Sequence, residues 1–546
     1  MKTNVTILLL FLLLFPLIHL CAQSVQDDNY IVPYKPDKSP LFGFDTYINN
    51  QLQQNQRNIV ICSAFNGWLY GAYNYFDNSV QNDRIVIVRS KDNGVSWSVI
   101  HDGTSDEKHL GYTKMDILAC GHDTTNLKVF VGSCMFDTLS TYHTSAVVRY
   151  DKNGIGEDYI FYDDSRYIRD LALASDDLYQ ANNSNPFSLA VVYSKRTDNG
   201  DSIVFYSSSN GGMYFDSHYN LAGSSYYFRK VALAYGRSSS CSSGRYFAAW
   251  EKQDNVNSVS GHIFTSHSEP NFNSPFTAPV LLDSLDASTA NMASYPVIAC
   301  QSNVADNDSS NFTEVILFEK YVPATFKYNI AGCYNKKATN SNNFQKFTID
   351  DSGNNKLQPD ICFNAFDSTF IVTYFDSTAQ KLPYFTHNFN LIDPDSWVEL
   401  SAGYNDDNNL VAPRPQVVMD FEKQNGVNAW IGARSGGHGA AMFDSPFTYY
   451  TGGSEKNMDI NKLMLKIFPN PASEFEILEF ELPRIENVNI DLLSPMGQSL
   501  SYITYPSCNS GKHQVRVDLT KYSAGLYIIN INAGNSFCSG KISITR

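Results

Sequence analysis

Asn58-Ile59-Val60-Ile61-Cys62 is a short run of small and β-branched residues, and a run of the same kind returns six more times along the chain. The later copies start at Met115, Arg169, Lys230, Pro296, Pro359 and Pro415, so successive starts lie 57, 54, 61, 66, 63 and 56 residues apart. Self-similarity at a nearly constant period, without helical periodicity in between, indicates a repeat architecture built from β units.

Three more strand-like runs separated by polar turns follow each copy. In the first unit they cover residues 68–76, 84–90 and 96–100, and in the sixth residues 370–375, 382–389 and 397–400. Four short antiparallel strands per unit are typical of a propeller blade. The first strand is the least bulky and is therefore predicted to be innermost, where blades converge. We predict an all-β chain with a seven-bladed β-propeller over residues 57–450, with six blades as the alternative.

The composition narrows the class of protein. The chain has 546 residues, 43% hydrophobic, 14% aromatic and 17% charged, with a net charge of -15. This length predicts more than one domain, and the acidity argues against nucleic acid as a partner. Histidine and cysteine spacings match no metal-ligand motif, and phosphate-binding loops are absent, so neither a metal nor a cofactor is expected.

The chain begins like an exported protein. Lys2 precedes an apolar run that extends to Leu20, which predicts a signal peptide over residues 1–22. Residues 23–56 form a leader that can supply a closing strand. No later apolar run reaches the ~20 residues of a membrane helix, so no transmembrane anchor is expected after signal removal.

The cysteines are predicted to be mostly structural. Four of them lie inside short apolar runs and are expected to be buried, namely Cys62, Cys120, Cys300 and Cys362. Cys508 and Cys538 lie in the last eighty residues and could form a disulfide in an oxidising compartment.

The turn between the third and fourth strands of the first unit carries a motif. It reads Ser90-Lys91-Asp92-Asn93-Gly94-Val95-Ser96-Trp97 and resembles the Asp-box of sialidase-like propellers. Asp92 can accept backbone N–H bonds, Gly94 permits positive φ, and Trp97 can pack between sheets. A weaker copy, residues 208–215, occupies the same place in the third unit. The predicted structural residues are Ser90, Asp92, Gly94 and Trp97.

The last 82 residues, 465–546, follow a polar linker at 451–464 and read as alternating strands with Gly and Pro turns, hence a small Ig-like β-sandwich. Four motifs occur in order, namely Pro469-Asn470-Pro471, Met496-Gly497-Gln498, Gly525-Leu526-Tyr527 and Lys541-Ile542-Ser543-Ile544. Together they resemble the C-terminal sorting domain of the type IX secretion system. The resemblance implies the type IX machinery as a partner and a secreted or outer-membrane surface location, with Pro469, Asn470, Pro471, Gly497, Gly525, Tyr527 and Lys541 as motif residues.

A candidate ligand site follows from the repeat. The residues immediately before the innermost strands are Arg57, Lys114, Ile168, Arg229, Tyr295, Gln358 and Arg414. Arg57, Lys114, Arg229 and Arg414 are basic in an acidic protein, and this position lies at the channel mouth of a propeller. They are predicted to bind an anionic glycan or another carboxylate. The alternative is that they pair with nearby carboxylates such as Asp116, Asp170, Asp360 and Asp420.

Two functions therefore stay open. The first is binding of an extracellular glycan or surface protein. The second is glycoside hydrolysis, which the sialidase-like resemblance implies through an arginine triad, a Tyr-Glu nucleophile and an Asp acid. The Arg-Ile-Pro signature of those enzymes is absent from the sequence. No catalytic residue is assigned.

Overall fold

The computed structural model of the chain describes these residues: 41–42, 45–49, 51, 54–104, 110–121, 124–137, 143–163, 168–176, 187–197, 200–223, 227–236, 244–253, 261–268, 276–282, 292–301, 313–336, 343–350, 352–365, 368–387, 397–401, 403–405, 410, 413–420, 425–433, 438–447, 465–468, 470–482, 486–494, 499–508, 511–533 and 536–545. The predicted signal peptide and linker lie outside them. The chain divides into two compact units, residues 1–448 and 449–546.

In the described part of the first unit, the strands form seven four-stranded antiparallel sheets and one two-stranded pair, with no helix. The strands are β1 Leu41–Phe42, β2 Thr46–Tyr47, β3 Gln56–Ser63, β4 Leu69–Asp77, β5 Asn82–Ser90, β6 Ser98–Thr104, β7 Leu110–Cys120, β8 Lys128–Asp137, β9 His143–Asp151, β10 Gly156–Asp163, β11 Ile168–Ser175, β12 Leu189–Thr197, β13 Gly200–Ser208, β14 Ser217–Gly223, β15 Tyr227–Gly236, β16 Arg245–Gln253, β17 Gly261–His267, β18 Val280–Leu281, β19 Ala293–Cys300, β20 Glu314–Val322, β21 Lys327–Asn335, β22 Gln345–Thr348, β23 Lys356–Asn364, β24 Thr369–Asp376, β25 Tyr384–His387, β26 Val398–Ser401, β27 Gln416–Asp420, β28 Asn425–Ala433, β29 Gly439–Asp444 and β30 Pro446–Phe447.

Consecutive strands pair in order to form sheets 1 to 6, which are β3–β6, β7–β10, β11–β14, β15–β18, β19–β22 and β23–β26. Sheet 7 consists of β27, β28, β29 and β2, so a strand of the leader is its outermost member. The strands of the first and sixth units lie close to the runs predicted for them. β1 pairs with β30 beside this closure.

The sheets form a closed ring, which makes the first unit a β-propeller. The first strand of each sheet contacts the first strand of the next, and β27 of sheet 7 contacts β3 of sheet 1. One apolar core fills each junction between neighbouring sheets. Aromatic residues provide much of this packing; Tyr70 and Tyr150 share the core between sheets 1 and 2, and Trp250 is buried between sheets 3 and 4. The aromatic excess of the composition therefore lies between the blades.

Carboxylates also link the sheets. In six junctions, a carboxylate oxygen of one sheet accepts a backbone N–H from the first strand of the next. These bonds, donor first, are Tyr112 to Asp83 (2.9 Å), Leu173 to Asp116 (2.7 Å), Phe228 to Asp201 (3.0 Å), Val231 to Asp170 (3.1 Å), Tyr295 to Glu251 (3.4 Å), Gln358 to Glu319 (2.7 Å) and Val417 to Asp360 (2.7 Å).

The junction between sheets 7 and 1 is closed by an amide instead. Gln56 is fully buried at the start of β3, where its Oε1 accepts the Ala441 N–H (2.7 Å) and its Nε2 donates to the Asn49 carbonyl (3.1 Å). Asn55 adds a bond from the Gly439 N–H to its Oδ1 (2.7 Å). The leader and the last sheet are thus tied together through side chains.

The outer turn after β5 packs against the preceding sheet. Asp92 Oδ1 accepts the Ser96 N–H (2.9 Å), and Ser90 Oγ accepts the Gly94 N–H (2.8 Å). Gly94 has a φ of +87° and lies against Phe443 of sheet 7, whose ring also meets Trp97 edge to face at 5.3 Å. The weaker copy repeats this geometry, because the Gly212 N–H donates to Ser208 Oγ (3.2 Å) and Gly212 lies against Phe130 of sheet 2.

The second unit is a small β-sandwich, as its alternating pattern predicts. Its strands are β31 Lys466–Phe468, β32 Phe475–Leu482, β33 Glu486–Leu493, β34 Ser499–Cys508, β35 Gly511–Asp518, β36 Gly525–Ala533 and β37 Ser536–Ile544. They form a three-stranded sheet, β31-β32-β35, and a four-stranded sheet, β34-β33-β36-β37. The two sheets bury one core that includes Leu478, Ile490 and Ile529.

The cysteine predictions had mixed outcomes. Cys62, Cys120 and Cys300 are buried, and Cys362 is half-buried. The pairing of Cys508 with Cys538 was wrong. These residues lie on β34 and β37, the two opposite edges of one sheet, and three interstrand spacings of about 4.8 Å separate them. A disulfide requires Cα atoms less than about 7 Å apart.

Replacing Gly94 with Ala tests the packing of the outer turn. A Cβ at this position would lie 1.9 Å from Phe443 Cε1, whereas a Cβ at Gly353, which also has positive φ (+74°), would meet nothing within 4 Å. Both variants share the φ penalty, so we expect Gly94→Ala to lower the free energy of unfolding by about 1–3 kcal/mol more than Gly353→Ala. Urea unfolding measures this difference, and equal losses would contradict the predicted clash.

Candidate ligand site at the channel mouth

The first strands of all seven sheets line a central cavity of about 290 Å³. Small side chains such as Ala172, Ala232 and Ala299 face it, because seven strands converge there and leave little room. The predicted innermost position of the first strands is therefore what the structure has.

Charged and polar residues gather where these strands begin, and this region is here called the channel mouth. Its cations are Lys114, Lys230 and Arg414, its carboxylates are Asp116, Asp170 and Asp360, and Tyr295 and Gln358 complete it. Asp170 is buried, and the others are half-buried and reachable by solvent.

Lys114 lies at the centre of this group. It interacts electrostatically with residues of four other sheets, namely Asp170, Tyr295, Asp360 and Arg414. Burial alone would lower the pKa of Lys114, but the charge of Asp170, with that of Asp116, outweighs it and raises this pKa above its usual value. Lys114 is therefore a permanent cation.

Two of the carboxyls around Lys114 have raised pKa values. Burial raises the pKa of Asp360 to about 7, in spite of the Val417 N–H bond and the Lys114 charge, which lower it. Burial also raises the pKa of Asp116, with a further contribution from Asp170 and opposition from Lys114. Asp360 thus exchanges a proton near neutral pH.

Arg414 is held in a strained conformation. Its backbone φ is +43°, and Tyr295 (+56°) and Gln358 (+54°) share this left-handed region, although none of them is glycine. The Arg414 N–H donates to Gln358 Oε1 (3.0 Å), and its Nη1 donates to Asn58 Oδ1. Backbone strain of this kind persists only where the surrounding structure maintains it. It is often found at binding sites.

The four predicted basic residues do not all meet. Lys114 and Arg414 line the mouth, whereas Arg57 pairs with the buried Asp83 (2.5 Å). Arg229 does not line the cavity, and the next residue, Lys230, does so instead, with its Nζ 4.9 Å from the Tyr295 ring centroid. The alternative prediction, that the basic residues pair with nearby carboxylates, therefore applies to Arg57, whose partner is Asp83.

Sequence reasoning missed a second cationic group beside the mouth. Arg169 and Arg196 each place Cζ 5.8 Å from the Tyr227 ring centroid, and Arg169 Nη1 lies 3.6 Å from the buried Asp201. Burial lowers the pKa of Arg169, and the charges of Arg229 and Arg196 lower it further against the opposing effect of Asp201. No sequence signal pointed to this group, because Arg169, Arg196 and Tyr227 belong to three different strands.

Five of the seven predicted sorting residues lie around β37 in the second unit. Asn470 bonds to β37 through its side chain, Lys541 lies on β37, and Gly525 and Tyr527 pair with it from β36. Pro471 follows Asn470. Pro469 and Gly497 lie outside the described residues.

Among the described residues, no group of three or more His, Cys, Asp or Glu side chains could hold a metal ion. The same residues include no apolar helix of membrane-spanning length.

Comparison with known proteins identifies the tail. Residues 466–545 match the family described as the secretion system C-terminal sorting domain. The chain therefore carries a type IX sorting domain, which indicates delivery to the cell surface or the extracellular space. No curated protein sequence matches the chain.

Solved structures resemble part of the chain. An alpha-L-arabinofuranosidase from Fusarium graminearum is 12% identical over 74% of this chain and 96% of its own (TM-score 0.42). A protein of unknown function from Dyadobacter fermentans is 11% identical over 75% and 100% (TM-score 0.43). The NanB sialidase from Streptococcus pneumoniae is 11% identical over 77% and 72% (TM-score 0.37).

The protonation of Asp360 predicts a pH dependence of stability. The carboxyl has a pKa of about 7 in the folded protein and about 3.9 in an unfolded chain, so its ionisation destabilises the fold. This cost is absent below about pH 4 and complete above about pH 7. We expect Asp360→Asn to become progressively more stable than wild type as the pH rises through this range.

The measurement is the urea unfolding midpoint of both proteins at several pH values from 4 to 8. Asp151→Asn, at the end of β9, controls for the loss of one negative charge. A wild-type to Asp360→Asn difference that does not change with pH would contradict the prediction.

Proposed function

We propose that this exported propeller binds an acidic extracellular glycan at the channel mouth. The observation that supports this most is the convergence of Lys114, Lys230 and Arg414, from three different sheets, on one solvent-accessible opening in a protein of net charge -15. Ammonium and guanidinium groups are the usual partners of carboxylate and sulfate groups.

The accessible charges favour an anion. Asp170 is buried beneath the mouth, which leaves two half-buried carboxyls, Asp116 and Asp360, beside the three cations. Because the pKa of Asp360 is about 7, part of its population is neutral at physiological pH. The accessible surface of the mouth therefore carries more positive than negative charge.

The shape and polarity favour a sugar. Gln358 offers an amide and Asp116 a carboxylate for hydroxyl groups, and Tyr295 offers an aromatic ring. The cavity of about 290 Å³ lies at the lower end of the ~300–1,000 Å³ of small-ligand sites. A terminal sugar residue fits such a volume better than a protein surface does. The sorting domain indicates that the ligands available are extracellular.

The binding proposal predicts loss of affinity on neutralising the mouth. A glycan array with sialic acid, uronic acid, sulfated and neutral glycans identifies ligands of the mature protein, and titration calorimetry gives their Kd. We expect acidic glycans to bind, and Lys114→Met and Arg414→Gln each to weaken binding at least about tenfold, as loss of a charge-assisted hydrogen bond does.

Lys91→Met is the matched control, because Lys91 lies in the turn after β5, does not line the cavity and carries the same charge. Its affinity should equal that of wild type. Equal affinity of all three variants, or a preference for neutral glycans, would refute binding of an acidic glycan at the mouth.

Glycoside hydrolysis is the second candidate, and one observation favours it. Asp360, with a pKa raised to about 7, interacts electrostatically with Asp116, whose pKa burial also raises. A glycosidase uses a pair of carboxyls, one as the acid and the other as the base or nucleophile. In this function Asp360 would be the acid.

Fluorogenic glycosides test hydrolysis separately from binding. If the protein is an enzyme, activity should fall as the pH rises above about 7 and should be lost in Asp360→Asn, while glycan affinity is retained. No turnover of any glycoside between pH 5 and 8 by a protein that binds glycans would leave binding as the function and refute hydrolysis.

A further inference from the structure

The two ends of the sorting domain are joined by a set of hydrogen bonds. Asn470 Nδ2 donates to the Lys541 carbonyl (2.6 Å), and Asn470 Oδ1 accepts the Ser543 N–H (3.0 Å). Two residues further on, the Ala472 N–H donates to the Ser543 carbonyl (2.9 Å), and the Ala472 carbonyl accepts the Thr545 N–H (2.8 Å). The matched region begins at residue 466 and ends at 545, so these bonds connect its first and last segments.

These hydrogen bonds satisfy backbone groups on the outer edge of the last strand. β37 is an edge strand, and an unpaired edge exposes backbone groups to water and to other chains. The side-chain amide of Asn470 replaces the peptide group of a missing neighbour strand, because it presents one donor and one acceptor to β37. With Ala472, it satisfies the outward-facing groups from the Lys541 carbonyl to the Thr545 N–H.

The predicted motif residues converge on the same place, although up to 71 residues separate them in sequence. On the inner side of β37, Gly525 pairs with Ile544 and Tyr527 with Ile542. On the outer side lie Asn470 and Pro471. We call this surface, residues 470–472, 525–527 and 541–545, the terminal clamp.

Core packing explains only part of the clamp. Ala472, Ile542 and Ile544 belong to the domain core, whereas Asn470, Pro471, Gly525 and Lys541 are exposed. These four exposed residues have no packing role and form a surface that is suited to recognition by a partner. Lys541 is the only charged residue of the clamp, so the partner should present a carboxylate or a comparable acceptor to it.

We propose that Asn470 is the positioning residue of this sorting domain. It holds β37 so that the type IX machinery can bind Lys541 at a fixed place on the edge of the sheet. Release of β37 removes the signal even though every residue of the last strand is still present.

The experiment follows export of the full-length protein in a host with the type IX system. Asn470→Ala removes both side-chain bonds, and Asn470→Asp keeps the shape but replaces the donor that faces the Lys541 carbonyl. Both should accumulate inside the cell, as should a truncation lacking residues 541–546. In purified protein, hydrogen exchange of the Ser543 amide in Asn470→Ala should be about 2- to 12-fold faster, as expected for loss of one net hydrogen bond.

Two further variants separate positioning from stability and from direct contact. Ile490→Val removes a buried methyl on β33, outside the clamp, and destabilises the domain while keeping the side-chain bonds of Asn470, so it should be exported normally. Lys541→Ala should block export while leaving the exchange of the Ser543 amide unchanged. Normal export of Asn470→Ala, or an export defect in Ile490→Val as large as that of Asn470→Ala, would overturn the proposal.

Discussion

The propeller depends on the hydrogen bonds that carboxylates make across the junctions between sheets. The strand ladders connect residues within a sheet, whereas these bonds run from one sheet to the next and anchor the first strand of each. Burying a carboxylate such as Asp201 or Glu251 is costly unless its charge is compensated. The backbone N–H groups that these oxygens accept compensate it, and without them the same N–H groups would be buried and unsatisfied.

This constraint also determines the charges of the channel mouth. Asp116, Asp170 and Asp360 hold the next sheet with one oxygen and contribute their negative charge to the mouth. Lys114 lies among them and balances that charge from the centre of the ring. A ligand site built here shares its residues with the machinery that closes the ring. Binding as proposed would therefore use the same side chains that stabilise the ring, and the protonation of Asp360 would affect both binding and stability.

Periodicity was sufficient to predict the strands and the innermost position of the first strand, because both follow from side-chain size and spacing. It was not sufficient for the site, since the first strands contain bulges. In β15 the register shifts between Phe228 and Val231, so two residues, Arg229 and Lys230, occupy the bulge. Side chains alternate between the two faces of a strand. A register shift of one residue therefore places Lys230, instead of Arg229, on the face that lines the channel. The position before the run therefore predicted Arg229, while Lys230 lines the mouth.

The cluster around Tyr227 could not be predicted from the sequence for another reason, because its members come from separate strands.

In each unit, a neutral amide side chain closes the fold at a place where a carboxylate could not make both of the required hydrogen bonds. A carboxylate only accepts hydrogen bonds, which is enough when the neighbour offers an N–H alone. At these two closures, a donor and an acceptor must be met together, because β2 ends at Tyr47 and β37 is an edge strand. Gln56 donates to Asn49 in the leader and accepts from Ala441 in sheet 7. Asn470 does the same between the two peptide groups of β37. An amide side chain carries the same two groups as a peptide bond, so a single residue can replace a strand at each closure, and an Asp or Glu of the same shape would leave one carbonyl without a donor.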